Sequence, residues 1–134
     1  MKKQVLKAGK ALPGAPYSPC VKAGDLIFVS GQIPLDPDTG KLTSGDFSAQ
    51  ARRCLENLKQ LLEEAGSSLE AVVKTTVFLS DFNNFADFNR VYAEYFPTQQ
   101  PARSAVQVAR LPLDAMVEIE AVAVADSTPE EQVK

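Results

Sequence analysis

Apolar positions in this chain follow two periods. Ala51, Cys54, Leu55, Leu58, Leu61, Leu62 and Ala65 recur every three or four residues, which predicts an amphipathic helix from about Phe47, with Asp46 capping its start and Gly66 its end. The opposite face carries Arg52, Glu56, Lys59 and Glu63. Arg52 with Glu56 and Lys59 with Glu63 are i,i+4 pairs worth a few tenths of a kcal/mol each, so this face reads as solvated surface. Phe85, Phe88, Val91, Tyr92, Tyr95 and Phe96 repeat the helical spacing, capped by Asn83 or Asn84 and closed by Pro97. These aromatics are core by spacing, not a platform for stacked bases, and only Phe85 at the helix start is placed for a cleft.

Strand signals fill the rest. Residues 2 to 7 read as a short strand, followed by a loop punctuated by Gly9, Pro13, Gly14, Pro16 and Pro19. Cys20 to Ala23 and Leu26 to Ser30 flank Gly24-Asp25 as a tight hairpin, and a long surface loop runs from Gly31 to Gly45. Val72 to Leu79 is a further strand, and two more close the chain. This order predicts an α+β fold, a mainly antiparallel sheet with both helices on one face. The other face, with Leu26 to Val29, Val106 to Val108 and Met116 to Val124, would leave a large apolar patch exposed in a lone chain. Sheet faces packed together in a closed ring would bury it. Residues 1–134 read as one domain, with 126–134 as a flexible tail.

Composition narrows the chemistry. At 134 residues and 45% hydrophobic content the chain can build a real core, and no apolar run reaches the roughly 20 residues of a membrane span. The Met1-Lys2-Lys3 start lacks the hydrophobic segment of a signal peptide, so the expectation is a soluble cytoplasmic protein. A net charge of -3 gives no general attraction to nucleic acid, and no membrane partner is expected. There is no histidine, which removes Ser-His-Asp, Cys-His and histidine-metal sites. Cys20 and Cys54 are too far apart for a CxxC motif; Cys54 falls on the helix's apolar stripe as a core residue, and Cys20 reads as packing or as a pocket wall. No metal or cofactor is expected.

The remaining candidates are charges set in apolar strand sequence. Arg103, Ala105 and Gln107 share one strand face, and Glu118 and Glu120 share a face of the next strand. Paired as a hairpin, the two strands would bring the cation to the carboxylates. Spacing alone leaves open whether Arg103 is a structural ion-pair partner or a functional group.

Three segments carry a resemblance: Pro16-Tyr17-Ser18, Ser30-Gly31-Gln32-Ile33-Pro34, and Pro101-Ala102-Arg103 through Glu118-Ile119-Glu120. Together with Val73-Lys74-Thr75-Thr76-Val77 and Asp81-Phe82-Asn83-Asn84-Phe85, they resemble the RidA (YjgF) family of reactive-intermediate deaminases over nearly the whole chain. The resemblance implies a chorismate-mutase-like fold, a homotrimer with clefts between subunits, and hydrolysis of 2-imino acids to 2-keto acids and ammonia. By position it makes Arg103 the carboxylate anchor and Glu118 the group that orients or activates water, with Tyr17, Ser30, Gly31, Phe85 and the Ala105 backbone completing the cleft.

The residue types suit that chemistry. Arg grips a carboxylate bidentately in a way Lys cannot, and each charged hydrogen bond is worth about 1.5–3 kcal/mol. An imine carbon is already electrophilic, so positioned water suffices, and a carboxylate base typically contributes about 10²- to 10⁴-fold. Two departures from the family stand out: Ala105 replaces a common cysteine, and Ala15 replaces the glycine that usually precedes Pro-Tyr. Tyr17 and Ser30 also fit ordinary local hydrogen bonding, and Glu120 suits an interface or solvent role better than catalysis. Two other functions stay open: a non-catalytic sensor of 2-keto acids or other carboxylates, and the ribonuclease or translation-inhibiting activity associated with some relatives.

Overall fold

The computed structural model describes residues 2–125, so the proposed tail at 126–134 lies outside the described residues. The elements run β1 (Lys3–Val5), β2 (Cys20–Ala23), β3 (Leu26–Gln32), α1 (Phe47–Glu64), β4 (Val72–Leu79), α2 (Phe85–Tyr95), β5 (Ala102–Gln107) and β6 (Val117–Val124). They build one six-stranded sheet in the order β1-β2-β3-β6-β4-β5. Every pairing is antiparallel except β4 with β5.

Helix α1 starts where Asp46 accepts a hydrogen bond from the Ala49 amide at 3.0 Å, and it ends before Gly66, whose φ of +82° closes the last turn. Its stripe of Ala51, Cys54, Leu55, Leu58 and Leu62 is fully buried against Ile27, Val77, Leu79, Val117, Ile119 and Ala123 of the sheet. Each buried leucine contributes about 1.5–3 kcal/mol. Phe88, Val91 and Tyr92 of α2, with Phe96 just past its end, join the same core, so both helices cover one sheet face as expected. The opposite face carries Phe28, 44% exposed, with Val106, Val73 and Val124. Among the described residues no helix is long and apolar enough to cross a membrane.

Several expectations need correction. The last two strands are not a hairpin: β4 lies between β5 and β6, paired with both. The connection after β5 turns through Leu113 and Asp114 at positive φ, and β6 returns to the sheet on the far side of β4. Neither Asn83 nor Asn84 caps α2 through its side chain; Asp81 instead accepts from the Asn83 amide at 2.9 Å and starts a single 3-10 turn that leads into the helix. Arg52 reaches Glu94 of α2 at 2.7 Å rather than Glu56, whereas Lys59 and Glu63 pair at 3.7 Å as spacing predicts. β1 is shorter than residues 2–7, and β3 runs on to Gln32.

Candidate active site

The strand order divides the expected site residues into two groups. Cross-strand partners point to the same sheet face. Arg103 and Ala105 sit opposite Thr75 and Val77 of β4, which face the helices. Glu118 sits opposite Phe78, on the other face. Within one chain Arg103 and Glu118 therefore cannot meet, and an ion pair between them inside one chain is excluded: among the described residues no salt bridge within the chain includes Arg103.

Arg103 projects from the edge strand β5 beneath the start of α2. Its guanidinium carbon lies 5.4 Å from the Phe85 ring centre and 4.9 Å from that of Tyr92, and one terminal nitrogen donates to Asn89 Oδ1 at 2.8 Å. Phe85, Asn89 and Tyr92 are spaced i, i+4, i+7, so one stripe of α2 forms the whole cradle. Tyr92 is held from below by a 2.8 Å hydrogen bond with buried Thr75. The cation thus has ring faces and a neutral oxygen around it, and its free edge can take an anion. Because the Val108 amide donates to Leu79, alternation along a parallel edge strand turns the Ala105 N–H and carbonyl away from β4. Phe85, Arg103 and Ala105 make up this first half-site.

Glu118 forms the second with Tyr17, Ser30 and Gly31, all of which line one cavity. A register shift makes that proximity. β3 pairs with β6 at Val29–Ala121 and again at Gln32–Ile119, so β3 holds one extra residue at Ser30-Gly31 and bulges beside the carboxylate. A Cβ on Gly31 would overlap the Glu118 carboxylate, lying 2.7 Å from its carboxyl carbon. Gly31→Ala is therefore expected to displace the carboxylate and cut activity at least tenfold with little change in melting temperature; wild-type activity in that variant would show that Glu118 need not stand where it does.

Burial pushes the Glu118 carboxyl above its ordinary range, and the charge of Glu120 adds to the shift. The Ser30 hydroxyl donates to the Ser18 carbonyl at 2.7 Å and its amide to Pro19, so Ser30 ties the first loop to β3. The Tyr17 oxygen accepts from the Leu12 amide at 2.9 Å, which leaves its own proton free to donate. Glu120 is exposed. Behind the site, burial and the nearby Glu118 charge push the Cys54 thiol well up; it packs in the core and donates to the Gln32 and Val117 carbonyls. Cys20 is also core and lines no part of the cavity.

Sequence reasoning missed Asn89, and it placed Tyr92 in the core without its second role under Arg103. The available signal was Asn89 itself, a polar residue midway between Phe85 and Tyr92 on their shared stripe.

A family model described as "Endoribonuclease L-PSP" matches residues 8–125. A RutC family protein of Pyrococcus abyssi is 53% identical over 92% of this chain and 98% of its own length. The chloroplastic Reactive Intermediate Deaminase A of Arabidopsis thaliana is 45% identical over 92% of this chain and 66% of its own. The crystal structure of E. coli TdcF with bound serine superposes with a TM-score of 0.81 at 45% identity, covering 90% of this chain and 94% of that one.

Proposed function

The chain belongs to the endoribonuclease L-PSP family, the YjgF/RidA group, and from that premise we propose that it hydrolyses 2-iminobutanoate and 2-iminopropanoate to 2-keto acids and ammonia in clefts between the subunits of a homotrimer. The observation that carries this reading is the division of the site: a carboxylate-ready Arg103 on one sheet face and a buried Glu118 on the other. An open apolar face bearing Glu118 can receive the β5 edge of a second copy, which would set Arg103 of that copy across the cavity. The serine bound to TdcF is an amino-acid-sized carboxylate at 45% identity, consistent with a ligand of this class.

In the proposed reaction Arg103 and the outward Ala105 backbone hold the substrate, and Glu118 removes a proton from water as its oxygen attacks the protonated imine carbon. The resulting carbinolamine collapses as its nitrogen takes a proton from Glu118 or from the free Tyr17 hydroxyl; the C–N bond breaks, ammonia leaves, and the carbinol hydroxyl gives its proton to the group just deprotonated, which forms the keto acid. Burial and the Glu120 charge raise the Glu118 pKa, which makes its carboxylate a stronger proton acceptor than an ordinary glutamate. RNA cleavage is less well supported, because Glu118 and Glu120 share the open face and would repel a phosphodiester.

The test is keto acid and ammonia release from freshly generated 2-iminobutanoate and 2-iminopropanoate, measured against the spontaneous rate. Acceleration is expected. A folded assembly no faster than buffer that still binds 2-oxobutanoate would leave the carboxylate-sensor reading in its place.

A further inference from the structure

The aromatic wall of the Arg103 half-site hangs on a turn with little of its own to hold it. Phe85 is the first residue of α2, and the chain reaches it through the single 3-10 turn Phe82–Asn84. The Phe85 ring meets both the guanidinium, 5.4 Å from its centre, and the ring of Phe82, stacked on it at 4.5 Å and 17°. Phe82 is 39% exposed, so burial alone does not fix it. The first amides of a helical turn have no partner within the turn, and here side chains supply two of them. Asp81 accepts from the Asn83 amide as the local cap. The Phe82 amide instead donates to Gln107 Oε1 at 2.7 Å, across 25 positions of sequence.

Gln107 is the last residue of β5 and shares the face of Arg103 and Ala105. Its register partner is Leu79, the last residue of β4, and the Val108 amide donates to the Leu79 carbonyl, so the strand end beside the turn is fixed. Gln107 thus bolts the approach to α2 onto the strand that carries the anchor. Four residues of strand span about 13 Å, too far for Gln107 to touch a three- or four-carbon substrate gripped by Arg103. It acts on substrate only through the anchor.

Building on the deaminase reading, we propose that Gln107 is a positioning residue for Arg103: its side-chain oxygen holds Phe82, Phe82 holds the Phe85 ring, and that ring sets where the free guanidinium edge meets the substrate carboxylate. The role requires an acceptor at this reach, which Gln and Glu supply and Leu does not.

The experiment measures kcat and KM for 2-iminobutanoate, and the affinity for 2-oxobutanoate, in the assembled wild type, Gln107→Leu and Gln107→Glu. An ionic strength of about 0.15 M screens the added charge of Gln107→Glu at about 13 Å from the anchor. Gln107→Leu is expected to raise KM and weaken 2-oxobutanoate binding about three- to tenfold, the worth of one hydrogen bond, with kcat within about twofold of wild type. Gln107→Glu keeps the acceptor and is expected to stay near wild type in both. In a Phe85→Leu background, which interrupts the line of contacts, Gln107→Leu is expected to add less than about twofold. Wild-type affinity in Gln107→Leu, an equal loss in Gln107→Glu, or full additivity with Phe85→Leu overturns the positioning role and leaves the deaminase standing. A wild type no faster than buffer removes the deaminase instead, and the 2-oxobutanoate affinities then decide the role of Gln107 by themselves.

Discussion

Two inactive variants, Arg103→Ala and Glu118→Gln, are expected to rescue each other when their chains are mixed within one assembly. Alone, Arg103→Ala loses two charged hydrogen bonds to the substrate carboxylate, each worth about 1.5–3 kcal/mol, and so about 10²- to 10⁴-fold in kcat/KM. Because Arg103 and Glu118 lie on opposite faces of one sheet, each cleft of the proposed ring would draw them from different copies. In a randomly mixed equimolar ring about a quarter of the clefts receive an intact Arg103 and an intact Glu118, and activity returns to about a quarter of wild type. Unfolding and refolding the two variants together, with mixed assemblies verified by differently tagged subunits, makes the measurement. Mixed rings that stay at the activity of the single variants would place the two residues in one chain's site and overturn the divided cleft.

Glu118→Gln alone is expected to lower kcat by about 10²- to 10⁴-fold while binding of 2-oxobutanoate is retained, since the amide keeps the shape but cannot take a proton from water. The pH dependence follows from the sign of the shift. Burial and Glu120 raise the Glu118 pKa, so the ionised base is lost as pH falls through a value above the usual carboxylate range. Wild-type kcat/KM should show that acidic limb, and Glu118→Gln should lack it at matched pH. For stability the sign reverses. A raised folded-state pKa means that the folded chain holds the proton more tightly than the unfolded one, so Glu118's contribution is present below the unfolded value and lost as pH rises through the folded value. Glu118→Gln is therefore expected to be at least as heat-stable as wild type at neutral pH. A variant that loses activity by unfolding would contradict this, and one that keeps wild-type kcat would end Glu118's role as base.

Much of the fold was legible because periodicity reports burial directly. The stripe from Ala51 to Leu62 and its Asp46 cap appear where spacing placed them, and the apolar open face follows from strands with hydrophobic residues on both sides. Strand order was not legible. Adjacent strands in sequence usually pair, but here β4 takes the place between β5 and β6, and no alternation within Arg103 to Gln107 or Glu118 to Glu120 encodes a neighbour from elsewhere in the chain. The same limit hid the site's division. Residue types single out Arg103 and Glu118 as candidate chemical groups, yet only the register against Thr75 and Phe78 reveals that they face apart. The Ser30-Gly31 bulge was equally silent, since one extra residue in a strand leaves no mark until its partner is known.

A site shared between the two faces of a sheet would leave the single chain with one half of each of two clefts and the whole of neither. In the proposed ring, output per molecule would depend on how much protein is present, and dilution below the concentration at which rings persist would silence the chemistry. On that reading a newly made chain would stay catalytically mute until it meets others, and abundance itself would act as the switch.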